Sequence, residues 1–359
     1  MKDRLISIDV LKGFSIMTII LGRFFNEWMD WTPRDYTFFK EFILFFANTA
    51  TTFFLILSGI GYYFFINNRI NKNISKSKIF AEVIKRSLFI FCISTLIQIL
   101  LGFIFDMKIS NIIYWSIFQV IAFSMILFFL FPFLKQKLRR IIYLSLIILL
   151  FLLDFVISHY KITYLLIIVE GAFPFIPWVN LYIFGLLFGD IISNFSREEF
   201  SKKMRIYCTI GIVNIIVFSF WLFLYLHTWY HYPQFFPFYM LNVGIFITSF
   251  ILCYYYFDIK SKEIYCQKSI ILWGKLTFSM YYINWGVVAI GFLVFPLIFD
   301  EIYYSGFLIY QYVILMIVIF VFLEFFIRIW QRFNFFLGIE WFMNKISKRA
   351  LFLKGNEKK

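Results

Sequence analysis

The chain has 359 residues, of which 62% are hydrophobic, 24% aromatic and only 15% charged, where soluble domains carry about 45–50% apolar and about 25% charged residues. With 54 phenylalanines and 7 prolines and a mean hydropathy of +0.83, it excludes a soluble domain, a disordered chain and a nucleic-acid-binding protein. The net charge of +14 is then expected to reside in the cytoplasmic loops of a polytopic membrane protein.

A spanning helix needs roughly 20 mostly apolar residues, because the hydrocarbon core is about 30 Å thick and a helix rises about 1.5 Å per residue. Ten such runs occur in order, near residues 6–26, 40–66, 81–105, 111–134, 141–158, 174–192, 206–228, 238–257, 270–297 and 308–331. Backbone groups in lipid must pair internally, so the runs are read as helices; a barrel would show alternation over about ten residues instead. The expected fold is all-α, a polytopic membrane protein with about ten transmembrane helices. Residues 1–332 form the membrane domain and 333–359 a basic amphipathic tail.

The loops give an orientation. With the N-terminus inside, 27 of the 34 Lys and Arg residues fall in inside segments and 4 in outside ones, while Lys12, Arg23 and Lys275 lie within runs. One missed helix would scramble every later loop, so both termini are expected on the cytoplasmic side. Asp9 and Lys12 interrupt the first run and no small-x-small pattern follows Leu21, so it reads as a retained helix rather than a cleaved signal. The tail sets Phe335, Trp341, Phe342 and Ile346 among Lys345, Lys348 and Arg349, the pattern of an interfacial helix on an anionic leaflet.

Ionisable residues inside apolar runs are costly and usually face the protein interior. Asp9 and Lys12 are three apart on one face of the first helix, either an interfacial ion pair or a cytoplasm-facing site for an anionic ligand. Arg23 and Glu27 follow near the outer end, with Asp30 just beyond; Arg23 lies about 21 Å along the helix from Asp9. His159, His227 and His231 are all expected on the outer side. Two histidines four apart do not make a zinc site, so no metal is expected, and one of them is a candidate general base beside the plainer reading of interfacial packing. Pro174 and Pro177 mark a helix start. Gly185 and Gly189 are spaced for helix packing. In the ninth run Lys275, Ser279 and Asn284 form a polar stripe, which by composition is a polar pocket within a bundle. Cys92, Cys208, Cys253 and Cys266 show no C-x-x-C spacing and are expected as buried small hydrophobes rather than a disulfide or zinc set.

Five of these stretches resemble one group, the transmembrane acyltransferases, which includes the acyltransferase-3 sugar O-acetylases and the heparan-alpha-glucosaminide N-acetyltransferase-like proteins. Arg4-Leu5-Ile6-Ser7-Ile8-Asp9-Val10-Leu11-Lys12-Gly13 is similar to the group's R-x-x-S-x-D-x-L-R-G opening. Phe53-Phe54-Leu55-Ile56-Leu57-Ser58-Gly59 resembles its F-F-x-L-S-G. Phe118-Gln119 falls where the N-acetyltransferase-like branch has L-Q, Pro174 to Gly185 resembles P-x-x-P-W…G, and Gly274 to Asn284 resembles G-x-x-S-x-x-Y-x-x-H.

The resemblance implies transfer of an acyl group, in the first instance acetyl, from cytoplasmic acyl-CoA to a sugar or lipid-linked glycan, with membrane lipid around it and oligomerisation left open. Asp9, Lys12, Lys85 and Arg86 would then meet the CoA donor, cations suiting its phosphates. Arg23, Gln119, Trp178, Ser279 and Asn284 would bind substrate. Three departures accompany the resemblance: the group's catalytic histidine at the end of helix 1 is Arg23 here, its closing histidine on helix 9 is Asn284, and its arginine-rich motif on helix 3 has Lys85 and Arg86 but Ile90 four residues past Arg86. Arginine stays protonated and cannot act as a base. That leaves Glu27, Asp30 or His227 as the catalytic base, or else a relative that handles lipids or glycolipids without the chemistry. The expected location is a prokaryotic plasma membrane.

Overall fold

A computed structural model describes residues 5–29, 37–104, 115–160, 173–195, 197–226, 236–298 and 309–352. All regular elements among them are helical. They are α1 (Ile6–Met29), α2 (Thr37–Asn71), α3 (Lys76–Ile104), α4 (Ile117–Leu127), α5 (Gln136–Tyr160) and α6 (Phe175–Ser193). After these come α7 (Arg197–Leu226), α8 (Phe236–Cys253), α9 (Gln267–Lys275), α10 (Thr277–Ile298), α11 (Ile309–Arg332) and α12 (Ile339–Phe352). A single 3₁₀ turn, Phe131–Phe133, follows α4, and a π-helical segment, Tyr254–Ile259, ends α8.

Seven described segments are long and apolar enough to cross a membrane: Glu41–Asn71, Lys76–Phe103, Gln136–Ile157, Phe175–Ser193, Glu198–Trp221, Pro237–Ile259 and Ile309–Arg332. The protein is thus an all-α integral membrane protein. Each of the other three expected spans has its own peculiarity. The first, α1, carries Asp9, Lys12, Arg23 and Glu27 within its 24 residues. The fourth begins outside the described residues and continues as the shorter apolar helix Ile117–Phe133. The ninth is broken at Leu276, the residue between α9 and α10.

The chain divides into two compact units. Unit one comprises Met1–Ile8, Thr52–Lys262 and Ile346–Lys359, and unit two Asp9–Thr51 and Glu263–Lys345.

Unit one is organised around α6, in which 16 of 19 residues are buried. Pro174 stands at its N-cap and Pro177 in its first turn, where a missing backbone donor costs no intrahelical bond. α6 lies against α2 with almost no side chain between them. A Cβ at Gly185 would fall on the Ile56 carbonyl oxygen, and one at Gly59 on that of Tyr182. Such close approach is how helices associate where no hydrophobic force separates protein from lipid. On another face Phe188 meets Phe246 and Phe250 of α8 at 5.7 and 5.1 Å. By contrast Ile148, Leu152, Phe155 of α5 and Ile210, Val213, Phe220 of α7 are exposed, apolar surfaces that suit a lipid surround.

Two charge clusters tie unit one together. Asp190, fully buried, accepts hydrogen bonds from Arg139 Nη2, from Arg140 Nε at 2.6 Å, from Tyr63 Oη at 2.9 Å and from Asn194 Nδ2 at 3.0 Å. Glu82 pairs with Arg69 at 2.9 Å and Arg86 at 3.4 Å. In the π-helical segment Asp258 accepts from the backbone N–H groups of Ile6 (2.8 Å) and Ser7 (3.0 Å), so a carboxylate already caps the N-terminus of α1.

Unit two holds the rest of α1, the first part of α2, and α9 to α12 up to Lys345. Here α1 crosses α9 through two glycines: a Cβ at Gly13 would fall on the Ile270 carbonyl oxygen, and one at Gly274 on that of Asp9. α11 is tied to α1 by Tyr312, whose hydroxyl donates to the Leu21 carbonyl at 2.7 Å and whose ring meets Phe25 at 5.1 Å. Glu324 of α11 accepts from Trp273 Nε1 at 2.8 Å and Ser269 Oγ at 2.7 Å, both on α9.

None of the four cysteines is buried as expected. Cys92 and Cys266 are exposed, Cys208 and Cys253 half-buried, and all are unbridged. Cys92 lies on a helix flank in the company of exposed Leu88, Phe91 and Leu96. A lipid-facing flank is apolar without being buried in protein, and so accepts a small hydrophobe.

Candidate active site

Within unit two, Arg23 of α1 and Asn284 of α10 both depart from the acyltransferase pattern. Arg23 of α1 lays its guanidinium 4.0 Å from the ring centroid of Trp285 of α10, a cation–π contact. The preceding residue, Asn284, is completely buried, and neither its Nδ2 nor its Oδ1 has a hydrogen-bond partner among the described residues. A primary amide without partners is costly inside a protein, so Asn284 has both a donor and an acceptor to offer a guest. On the same two helices Phe24, Phe25 and Val288 are buried. Glu27 is one turn beyond Arg23 on α1; its side chain, and Asp30 and His227 altogether, lie outside the described residues.

Ser279, expected to bind substrate, is engaged by the chain itself. Its hydroxyl donates to Glu340 Oε2 and accepts from the Ile339 N–H at 2.9 Å. Glu340 Oε1 also takes the N–H groups of Phe278 (2.7 Å) and Ser279 (3.1 Å). The expected tail therefore begins by capping α10 rather than by lying free. Burial pushes the Glu340 carboxyl above its usual value, and the hydrogen bonds from the Ser279 side chain and the backbone pull the other way.

The remaining expected residues divide between the units. Asp9 is buried and Lys12 half-buried on α1 in unit two. Lys85 and Arg86 are in unit one, where Lys85 is exposed and Arg86 stacks 4.3 Å over Phe65 beside its Glu82 partner. Gln119, also in unit one, completes the capping box of α4: it exchanges hydrogen bonds with Ser116 (2.9 and 3.2 Å) and donates to Thr95 Oγ1 at 3.0 Å. Trp178 is buried in unit one, edge-on to Tyr239 at 5.9 Å. Among the described residues no group of His, Cys, Asp and Glu could hold a metal ion.

Sequence reasoning passed over Asp154, Asp190, Glu82, Glu324 and Glu340. For the first four the signal was present, since an acidic residue within an apolar helix needs an internal partner. For Glu340 nothing local marks it.

The described residues thus form a helical membrane protein with a stacked arginine on α1 and a buried amide on α10. Residues 4–227 match the family described as heparan-alpha-glucosaminide N-acetyltransferase, catalytic, and the chain belongs to that family. The matched stretch ends before α8, so α10 with Asn284 lies outside it. A comparison with curated proteins finds no match.

Proposed function

We propose that this protein transfers an acyl group, in the first instance acetyl, from acyl-CoA to an amine or hydroxyl of a sugar or lipid-linked glycan. The observation that carries the reading is the meeting of Arg23 with Trp285, next to the unpartnered Asn284, in a chain of the N-acetyltransferase family.

The roles follow from the chemistry of each group. The acceptor's nitrogen or oxygen attacks the thioester carbonyl, forming the new C–N or C–O bond and placing negative charge on the carbonyl oxygen. The Asn284 Nδ2–H and the Arg23 guanidinium are the donors for that oxygen, a task in which one donor is worth about 10²–10³ in rate. Neither can remove the acceptor's proton. Glu27, one turn from Arg23, is assigned as the base, with Asp30 and His227 next in order. Collapse of the adduct breaks the C–S bond, and the thiolate leaves as CoA, taking up a proton. Lys12 is assigned to the donor's anionic groups, with Asp9 three residues before it on α1, and the 27-to-4 loop asymmetry supports a cytoplasmic donor side with both termini inside.

The test is transfer from radiolabelled acetyl-CoA by the full chain in nanodiscs, supplied with amino-sugar and lipid-linked sugar acceptors. Glu27→Gln is expected to lower turnover at least about 100-fold at unchanged expression and melting temperature. Full activity in that variant would remove Glu27 from the mechanism. The second reading, a glycolipid-handling relative, is favoured by one observation: an arginine stands where the related enzymes have a histidine. It predicts anionic lipid binding that Arg23→Ala abolishes, without any acyl transfer in the parent.

A further inference from the structure

Three side chains of unit one, on α5, α6 and α8, carry buried polar atoms without a partner among the described residues. Asp154 is an acidic residue in the apolar α5, and its Oδ1 is buried without a partner among the described residues. Tyr239 of α8 is fully buried and its hydroxyl has no partner among the described residues. Asn180 of α6 is 2% exposed, with neither amide atom partnered among them.

Their proximity rests on independent contacts. Phe151, three residues before Asp154 and on the same face of α5, meets the Tyr239 ring at 6.1 Å. Trp178 of α6 meets the same tyrosine at 5.9 Å. Asn180 is two residues from Trp178, hence about 3 Å along the axis. Its direction follows from the helix rotation of about 100° per residue. Asp190 points to α5, where it pairs with Arg139 and Arg140, and Phe188 points to α8. Asn180 lies between them, about 80° from each, in the sector that faces both Asp154 and Tyr239.

A carboxylate oxygen, a phenol and an amide offer donors and acceptors together, with aromatic rings alongside. That combination suits a neutral group that both gives and takes a hydrogen bond. Residues flanking Asp154, namely Leu152, Leu153, Phe155 and Val156, are exposed on the apolar side of α5, so a ligand can reach the carboxylate laterally. We propose that Asp154, Asn180 and Tyr239 form a hydroxyl-binding site in unit one, which takes a hydroxyl of a sugar or of a lipid headgroup beside the ring of Phe151. The proposal does not depend on the residues assigned to acyl transfer.

The experiment is a thermal-shift titration of the full chain in phosphatidylglycerol nanodiscs, without any acyl-CoA, so that its outcome is separate from the transfer reaction. One arm adds methyl glucoside or N-acetylglucosamine, and the other includes monoglucosyl diacylglycerol in the disc. A saturable stabilisation by either probe is expected, glycolipid alone marking a lipid-borne hydroxyl and free sugar marking the sugar itself. Tyr239→Phe and Asn180→Leu should each weaken it about three- to tenfold, the value of one or two hydrogen bonds. Tyr143→Phe, which removes another buried and unpartnered hydroxyl beside Phe131, should leave it unchanged. Because the Tyr239 hydroxyl has no partner among the described residues, Tyr239→Phe should not lower the melting temperature of the ligand-free protein. No saturable shift with either probe, a shift indifferent to Tyr239→Phe and Asn180→Leu, or a loss of ligand-free stability in Tyr239→Phe would each overturn the proposal.

Discussion

Asp190 offers the sharpest test of how unit one is held together, because one carboxylate serves two arginines of different burial. The Arg139 side chain is 9% exposed and that of Arg140 33%, while Asp190 is not exposed at all. Replacing Asp190 with alanine strands a buried guanidinium, and breaking a buried pair from one side costs about 3–5 kcal/mol. It also leaves Tyr63 and Asn194 without their shared acceptor. At about 2–4 °C per kcal/mol for a large domain, the loss corresponds to roughly 6–20 °C in melting temperature. Arg140→Ala breaks a pair one-third open to solvent and should cost no more than about 1 kcal/mol. The double variant Asp190→Ala/Arg139→Ala should recover part of the loss, since no charge is then stranded. The assay is size-exclusion fluorescence after graded heating in detergent. Asp190→Ala within about 2 °C of the parent, or equal in effect to Arg140→Ala, would refute the reasoning.

The Glu340 cap makes stability depend on pH. Its carboxyl is raised above the ordinary 4.5 by burial, so the contribution is fully present below about 4.5 and is lost as pH rises through the raised folded value. Amide protection over Ile339–Phe352, corrected for the intrinsic base-catalysed rate, should fall as pH rises, and Glu340→Gln should flatten the profile; protection that grows with rising pH would contradict the sign. At the α1–α9 crossing, Gly274→Val places side-chain atoms on the Asp9 carbonyl, and overpacking of this kind costs about 1–3 kcal/mol or more. Gly286→Ala, where a Cβ meets nothing within 4 Å, should be neutral by the same melting assay, and equal losses would argue against the crossing.

Much of the architecture was legible in the chain. Long apolar runs, few charges and the proline-marked start of α6 are local properties, and lipid enforces helix wherever such a run occurs. The opening Arg4 to Gly13 motif and Phe53 to Gly59 pointed to a membrane acyltransferase, and the family match over residues 4–227 bears that out. The ninth run was less readable: hydropathy continues through Leu276, yet the helix breaks there, with Thr277 Oγ1 donating to the Gly274 carbonyl at 2.7 Å and Glu340 closing the next N-terminus.

Pairings between helices came only with the tertiary structure. Nothing in the pattern around Arg23 names Trp285 as its partner, or Asp190 as the partner of Arg139 and Arg140. Nothing around Ser279 announces that its hydroxyl is bound to Glu340. Hydropathy reports how each residue partitions between lipid and water, one residue at a time. Which charged and polar groups meet depends on which helices touch, and here glycines set that: Gly59 and Gly185 in one unit, Gly13 and Gly274 in the other, where one backbone rests on the next. The amino-acid sequence by itself therefore determined that this is a bundle of membrane helices with polar groups it must hide. The crossings decided which of those groups find one another, and which, like Asn180, Tyr239 and Asn284, are left with hydrogen bonds to offer.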